Sequence, residues 1–482
     1  MFEQNFNENN NNIIASSEND KSEIKSKKIK RIILILVILV VILILIITLV
    51  LVLKNKDKDE PNRETVQDFV VKGIFIDTEN FDKLRIRKGF ILVENGIIKS
   101  FKETNPNESL KLYDYSDKLI LPGLIDLHLH APQYPNCGIG LDLKLLDWLN
   151  NYTFPEESKY SNLIYAKKNY ELFVNDLART GTTRAVIFAT IHNEATLLLM
   201  DLLEEKKIFA YVGKVSMDRN SPDYYIETNG AENTEKFIEE CLKRNYQYVQ
   251  PIITPRFTPS VSDSYMEELG LLAKKYNLSV QSHLSESTFE IELVKELRPN
   301  DSFYAESYDK YGLFGKEIKT VMAHCVHSPD EEKDLIKKNG VFIAHCPTSN
   351  LDLSSGISPA KKYVNQGYNI GLGSDVSGGH SLDLFEVMKY SIEMSKLRNI
   401  YIDTSQEHIT LSEALYMATN KGGSFFGKVG IFENDYEFDA IVLDESLVKN
   451  YNVFTESERL ERFIYNKNAK IEAKFIKGNK LF

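Results

Sequence analysis

The chain has 482 residues, 43% of them hydrophobic and 26% charged, proportions that suit a folded globular protein and exclude a wholly disordered or collagen-like one. A formal net charge of −11 argues against binding a nucleic-acid backbone. The four cysteines, Cys137, Cys241, Cys325 and Cys346, are too few and too scattered for a disulfide framework and read as free thiols.

Residues 1–31 form a polar, Asn-rich tail that is expected to be disordered. Residues 32–53 are Ile, Leu and Val interrupted only by Thr48, which predicts a single transmembrane helix, since at ~1.5 Å per residue the run reaches ~33 Å. Lys21, Lys25, Lys27, Lys28, Lys30 and Arg31 precede it against Lys54, Lys56 and Lys58 after it. That asymmetry predicts a single-pass membrane protein with a cytoplasmic N-terminus. A glycan at the Asn151 sequon would crowd the loop after Trp148, so the side on which the body sits stays open. Residues 54–67 read as a linker.

Beyond the linker, Phe69–Ile76 and Phe90–Ser100 read as strands, the second broken by Asn95-Gly96, a favoured two-residue hairpin turn. Apolar runs at Ala440–Leu443, Arg462–Tyr465 and Ala473–Ile476 lie at the other end of the body. Residues 68–118 and 426–482 are therefore expected to combine into one small β-sandwich domain. Between them, residues 119–425 alternate short apolar strands with longer amphipathic stretches. The strands are Leu124–Leu129, Ala185–Phe188, Phe209–Val212, Val249–Ile253, Val280–Ser282, Thr320–Ala323, Val341–Ala344 and Ile370–Leu372, and eight of them predict an α/β protein with a (β/α)8 TIM-type barrel.

Polar residues cluster where these strands end. The first runs into Asp126-Leu127-His128-Leu129-His130, whose period of two aims both imidazoles at one face. The fifth runs into His283, the sixth into His324, the seventh into His345 and the eighth into Asp375. Sites of this fold lie at that rim. A His-x-His pair alone reads more readily as satisfied core histidines than as metal ligands. Further imidazoles and a carboxylate at successive strand ends favour a divalent metal such as zinc. No H-E-x-x-H or multi-cysteine spacing competes, and His192-Asn193-Glu194 lacks the cysteine pair that would make it a cytidine-deaminase signature.

Leu121-Pro122-Gly123-Leu124-Ile125-Asp126-Leu127-His128-Leu129-His130 resembles the opening motif of the amidohydrolase superfamily. Longer strings are similar to its guanine-deaminating branch: Ala131-Pro132-Gln133-Tyr134, Leu145-Leu146-Asp147-Trp148-Leu149, Tyr152-Thr153-Phe154-Pro155, Thr254-Pro255-Arg256-Phe257, Gln281-Ser282-His283-Leu284-Ser285-Glu286, Ala344-His345-Cys346-Pro347 and Gly371-Leu372-Gly373-Ser374-Asp375. The resemblance covers residues 68–482. It implies one Zn²⁺ per subunit held by His128, His130, His283 and Asp375, with His324 beside the metal-bound water. It also implies Glu286 as proton shuttle, Gln133, Arg256 and Phe257 around the purine, and a homodimer. The implied reaction converts guanine and water to xanthine and ammonia, a step of purine catabolism.

The chemistry is consistent with those residues. Replacing an exocyclic amine needs a nucleophile at neutral pH, which zinc supplies by lowering the pKa of water to about 7. Hydroxide would attack C2 while Glu286, three residues past a ligand, protonates the neighbouring ring nitrogen, Asp375 accepts from the water and His324 steadies the developing charge. His130, His283, Glu286 and Asp375 would thus face substrate as well as metal. Arg256 suits the O6 and N7 acceptors of guanine and Gln133 its amide-like edge. Taken singly, Glu286 and Arg256 would be ordinary solvated charges, and Phe257 is as readily core. His345 reads as support behind the ligands, His380 as a rim residue, and His327 and His408 as surface. No Lys ends the Val249–Thr254 run, where two-metal relatives in the superfamily carry one, which favours a single metal. The long Trp148 stretch reads as a lid. Two other readings stay open: a deaminase of another purine, a pterin or a triazine, and a membrane-tethered scaffold without catalysis.

Overall fold

The structure, a computed structural model, describes residues 28, 30, 32–48, 66–446, 454–466 and 470–482. The tail expected at 1–31, apart from residues 28 and 30, and the linker up to residue 65 lie outside the described residues. The chain divides into residues 1–65 and residues 66–482.

The first unit corrects the expected anchor. Residues 32–48 are helical, residues 49–53 lie outside the described residues, and among the described residues no helix is long and apolar enough to cross a membrane. The transmembrane element of the expected fold falls with it, as do the membrane partner and the single-pass location that rested on it.

In the second unit both ends of the body build one sheet. Its N-terminal strands are β1 (Phe69–Asp77), β2 (Arg85–Glu94), β3 (Ile97–Lys102) and β4 (Lys111–Pro122). The Asn95-Gly96 turn joins β2 to β3 with both residues at positive φ, 51° and 78°, the mirror-image geometry that matches strand twist. Glycine is required at the second position, because a Cβ on Gly96 would lie 2.3 Å from the Lys477 carbonyl oxygen. The barrel strands follow: β5 (Leu124–His130), β6 (Thr182–Phe188), β7 (Phe209–Gly213), the short β8 (Val215–Ser216), β9 (Val249–Pro251), the short β10 (Thr254–Pro255), β11 (Val280–Leu284), β12 (Thr320–His324), β13 (Phe342–His345) and β14 (Asn369–Leu372). The C-terminal strands β15 (Ala440–Asp444), β16 (Lys470–Ile476) and β17 (Asn479–Lys480) return to the first sheet.

That sheet has the order β17-β16-β15-β4-β1-β2-β3, with β4 parallel to β1 and antiparallel to β15. It is one hydrogen-bonded sheet of seven strands, because β4 pairs on both edges and splices the two chain ends together. Phe69, Phe75, Phe432, Phe438 and Phe475 pack on it as one apolar cluster. The run Arg462–Tyr465 is not a strand. Residues Glu456–Ile464 form a helix opened by a capping box between Thr455 and Glu458, with Leu460, Phe463 and Ile464 on its buried face.

The barrel is two parallel four-stranded arcs, β5-β6-β7-β9 and β11-β12-β13-β14. A bridge between Ile253 and Val280 joins them on one side. On the other side the Asp375 amide donates to the His128 carbonyl and the His130 amide to the Val376 carbonyl, each at 2.8 Å. Long helices alternate with the strands, among them Leu163–Arg179, Asn193–Glu205, Gly230–Arg244, Asp263–Tyr276, Asp330–Asn339 and Leu384–Tyr401. Every residue of β5 and β6 is buried, the mark of parallel strands covered on both faces. Ile125, Leu127, Val186, Ile252, Val321, Ala323, Phe342 and Ala344, from around the ring, pack together with Phe425. The barrel therefore presents a packed floor and leaves its strand C-termini to carry polar groups.

Candidate active site

The strand ends bend sharply as they reach the rim. Ser285, His324 and Asp375 all sit at positive φ, 47°, 73° and 49°, a conformation that non-glycine residues adopt at a cost and that clusters at functional sites. The buried Asp126 holds the seam between first and last strands, its Oδ1 accepting from the amides of His128 at 3.2 Å and Ser374 at 3.0 Å.

Four donor atoms converge there. The Asp375 Oδ1 lies 3.1 Å from His128 Nε2 and 3.3 Å from His130 Nε2, and His130 Nε2 lies 3.2 Å from His283 Nε2. Zinc bonds of about 2.0–2.1 Å would give tetrahedral edges of ~3.3 Å, so these separations are those of a coordination shell. His128 Nε2 is buried without a hydrogen-bond partner, as a metal-facing lone pair would be. Burial pushes the His128 and His283 imidazoles down and that of His130 down to about 4, which keeps them in the neutral form a ligand needs. His283 Nδ1–H donates to the Arg256 carbonyl at 2.6 Å, which leaves Nε2 facing the centre. The donor set fits one divalent ion of the zinc class.

Two further groups flank these four. His324 Nε2, buried and unpartnered, is 3.4 Å from Glu286 Oε2 and 3.7 Å from Asp375 Oδ2, and its Nδ1 faces Asn350 Oδ1 at 3.0 Å. Burial first, and then the charge of Asp375, push the Glu286 carboxyl up to about 8. Ser355 Oγ donates to Glu286 Oε1 at 3.0 Å. A carboxyl so placed can both hold and release a proton near neutral pH.

One pocket opens onto this centre, lined by His130, His283, Glu286, His324 and Asp375 on one side and by Gln133, Arg256, Phe257, Leu145 and Trp148 on the other. All of the expected site residues thus meet, His128 lying just behind. Trp148 is buried and anchored by its indole N–H to the Ile139 carbonyl, so the segment proposed as a lid packs over the pocket here. His345 is buried at the end of β13, His380 pairs with Asp352 at 2.6 Å, and His327 and His408 are exposed. The sequence reading missed Glu157, Tyr225, Asn350 and Ser355. Glu157 is fully buried and accepts hydrogen bonds from Arg256, Gln133 and Tyr225. Its only local signal was its place just after Thr153-Phe154-Pro155.

Residues 119–481 match the Amidohydrolase family. The chain is 38% identical over 425 residues to a guanine deaminase of Dictyostelium discoideum, covering 86% of this chain and 92% of that relative. Among solved structures it resembles a guanine deaminase from C. acetobutylicum with bound guanine in the active site, with a TM-score of 0.83 and 48% identity over 86% of this chain and all of the other. An adenosine deaminase from Xanthomonas campestris with bound zinc shares the fold, with a TM-score of 0.72 at 20% identity over 86% of this chain and 92% of its own. A family match across most of the chain, together with a cluster of histidine and aspartate donors at its strand ends, leaves one assignment: this chain belongs to the amidohydrolase family.

Proposed function

We infer that this chain is a hydrolytic deaminase that converts guanine and water to xanthine and ammonia, with one zinc-class ion held by His128, His130, His283 and Asp375. The observation that carries this reading is the meeting, in one buried pocket, of that donor set and Glu286 with the facing pair Gln133 and Arg256. When bound, the ion supplies Lewis acidity that brings the deprotonation of water into the neutral range.

The remaining steps fall to the chain itself. Asp375 accepts a proton from the attacking water, whose oxygen adds to C2 of the purine. Glu286, whose carboxyl is raised by burial, gives a proton to the ring nitrogen beside C2, so that charge does not accumulate on the ring as C2 becomes tetrahedral. The hydroxyl proton on C2 then passes to Glu286 as the C2–O bond becomes a carbonyl. The exocyclic C2–N bond breaks with its electron pair on nitrogen, and the proton lodged on Asp375 goes to the departing ammonia, which returns both carboxyl groups to their starting states. His324, its Nδ1–H donated to Asn350 Oδ1, turns its Nε2 lone pair toward the attacking water, from which it can accept a hydrogen bond. Arg256 donates to the O6 carbonyl oxygen and Gln133 pairs with the amide-like edge, while Phe257 and Trp148 exclude water. The test is ammonia and xanthine release by the purified, zinc-loaded full chain on guanine, adenine, cytosine and a pterin. Turnover of guanine well above the others is expected, and preferential turnover of a pterin would replace the substrate.

A further inference from the structure

Glu157 takes no part in the steps above, yet it is a fully buried carboxylate at the back of the substrate pocket with four donors aimed at its two oxygens. Oε1 accepts from Gln133 Nε2 at 2.8 Å and from Arg256 Nη2 at 3.2 Å. Oε2 accepts from Arg256 Nη1 at 2.7 Å and from the Tyr225 hydroxyl at 2.8 Å. A carboxylate has about four lone-pair sites, so all are used. The Arg256 guanidinium also rests over the Phe154 ring, 5.0 Å from its centroid. Burial alone would raise the Glu157 carboxyl, and the charge and hydrogen bonds of Arg256 outweigh it, holding it below the usual carboxylate range.

This arrangement decides which way the recognition groups point. An ionised carboxylate can only accept, so the Gln133 amide must turn its NH₂ toward Glu157, and its carbonyl Oε1 is left for the pocket. Arg256 spends one N–H of each terminal nitrogen on Glu157 and keeps three donors. The pocket thus offers one fixed acceptor beside a fixed cationic donor. That pattern complements a lactam edge, with N–H next to C=O, and opposes an amidine edge, with a bare ring nitrogen next to an amine. The segment that carries Glu157 also carries Leu145 and Trp148, which line the same pocket.

We propose that Glu157 is a positioning residue that sets the hydrogen-bonding polarity of the pocket through Gln133 and Arg256, and so selects a 6-oxo over a 6-amino purine that bears the same 2-amine. The proposal rests on the substrate reading above. It is tested with guanine and 2,6-diaminopurine, which present the same reacting C2–NH₂ and differ at the edge that Gln133 and Arg256 would read.

In Glu157→Gln the new amide can no longer accept at both atoms, and the Gln133 amide is free to turn over. The expected result is a fall of about a hundredfold in kcat/KM for guanine, mostly through KM, with little loss for 2,6-diaminopurine, so that the ratio of the two narrows at least tenfold while bound metal stays stoichiometric. A merely structural role would lower both substrates in proportion and leave the ratio unchanged, and that outcome overturns the proposal. If Glu157→Gln does not fold, Tyr225→Phe decides, since it removes one donor and keeps the ion pair. A narrowing of two- to fivefold supports the proposal, and an unaltered ratio overturns it. A wild-type chain that releases no ammonia from guanine overturns the substrate reading and this inference together. An active wild type with an unaltered variant ratio overturns the inference alone.

Discussion

The two sides of the pocket are built on opposite principles. On the metal side, His128, His130, His283 and Asp375 are set by strand ends and backbone hydrogen bonds, and their donor atoms crowd at 3.1–3.3 Å with His128 Nε2 unpartnered. On the recognition side, Arg256, Gln133 and Tyr225 close onto Glu157 and the carboxylate is saturated. Buried lone pairs without a partner are costly, whereas a buried ion pair with every site filled is rigid. The first side is therefore arranged as a shell that a cation would complete, and the second is preorganised without one. Recognition and chemistry should separate under mutation.

The strongest test of that separation is Asp375→Ala, which removes one corner of the shell. Metal content measured by atomic absorption should fall below one per chain, and activity should drop at least ~10⁴-fold. Chelation of the wild type should do the same reversibly, and a zinc excess of 1,000 times the dissociation constant should restore about 4 kcal/mol of stability, read as a rise in Tm. The Glu157 variant should keep its metal and this zinc-dependent rise. Full metal occupancy in Asp375→Ala would break the comparison.

Next in size is Glu286→Gln, which leaves the shell and the Glu157 network intact and removes the group that carries a proton at the pocket floor. A fall in kcat of about a hundred- to ten-thousandfold is expected, with metal content and KM near wild type. Undiminished xanthine formation would take the shuttle role from Glu286 and leave the ring nitrogen to be protonated by water.

The metal side was legible in the sequence because its signals are local. A parallel barrel strand buried on both faces reads as a short apolar run, and a polar residue at its end reads as rim, so His128, His130, His283, His324 and Asp375 declared themselves. The recognition side was legible only in its outer members. Glu157 follows a Phe-Pro pair and looks like an ordinary helix-start acid, and its meaning arises from Arg256, ninety-nine residues away. Arg462–Tyr465 does not read as a helix on its own, because an arginine and three apolar residues do not distinguish strand from helix. The deciding mark was the Thr455–Glu458 capping box upstream. Residues 32–53 show the limit of hydropathy alone, since among the described residues no helix is long and apolar enough to cross a membrane.

Asn350 lies behind His324 and should have the smallest effect. Its Oδ1 lies 3.0 Å from His324 Nδ1, so this amide oxygen accepts the Nδ1–H and fixes the tautomer in which Nε2 is a bare lone pair facing Glu286 and Asp375. It touches neither the four donors nor Glu157. Asn350→Ala should lower kcat about tenfold, leave metal stoichiometric, and leave the preference for guanine over 2,6-diaminopurine unchanged. The Asn350→Asp variant keeps an acceptor at the same place and should recover most of the rate. A loss in the alanine variant that appears in metal content would move His324 into the shell, and one that appears in substrate preference would tie it to the recognition side.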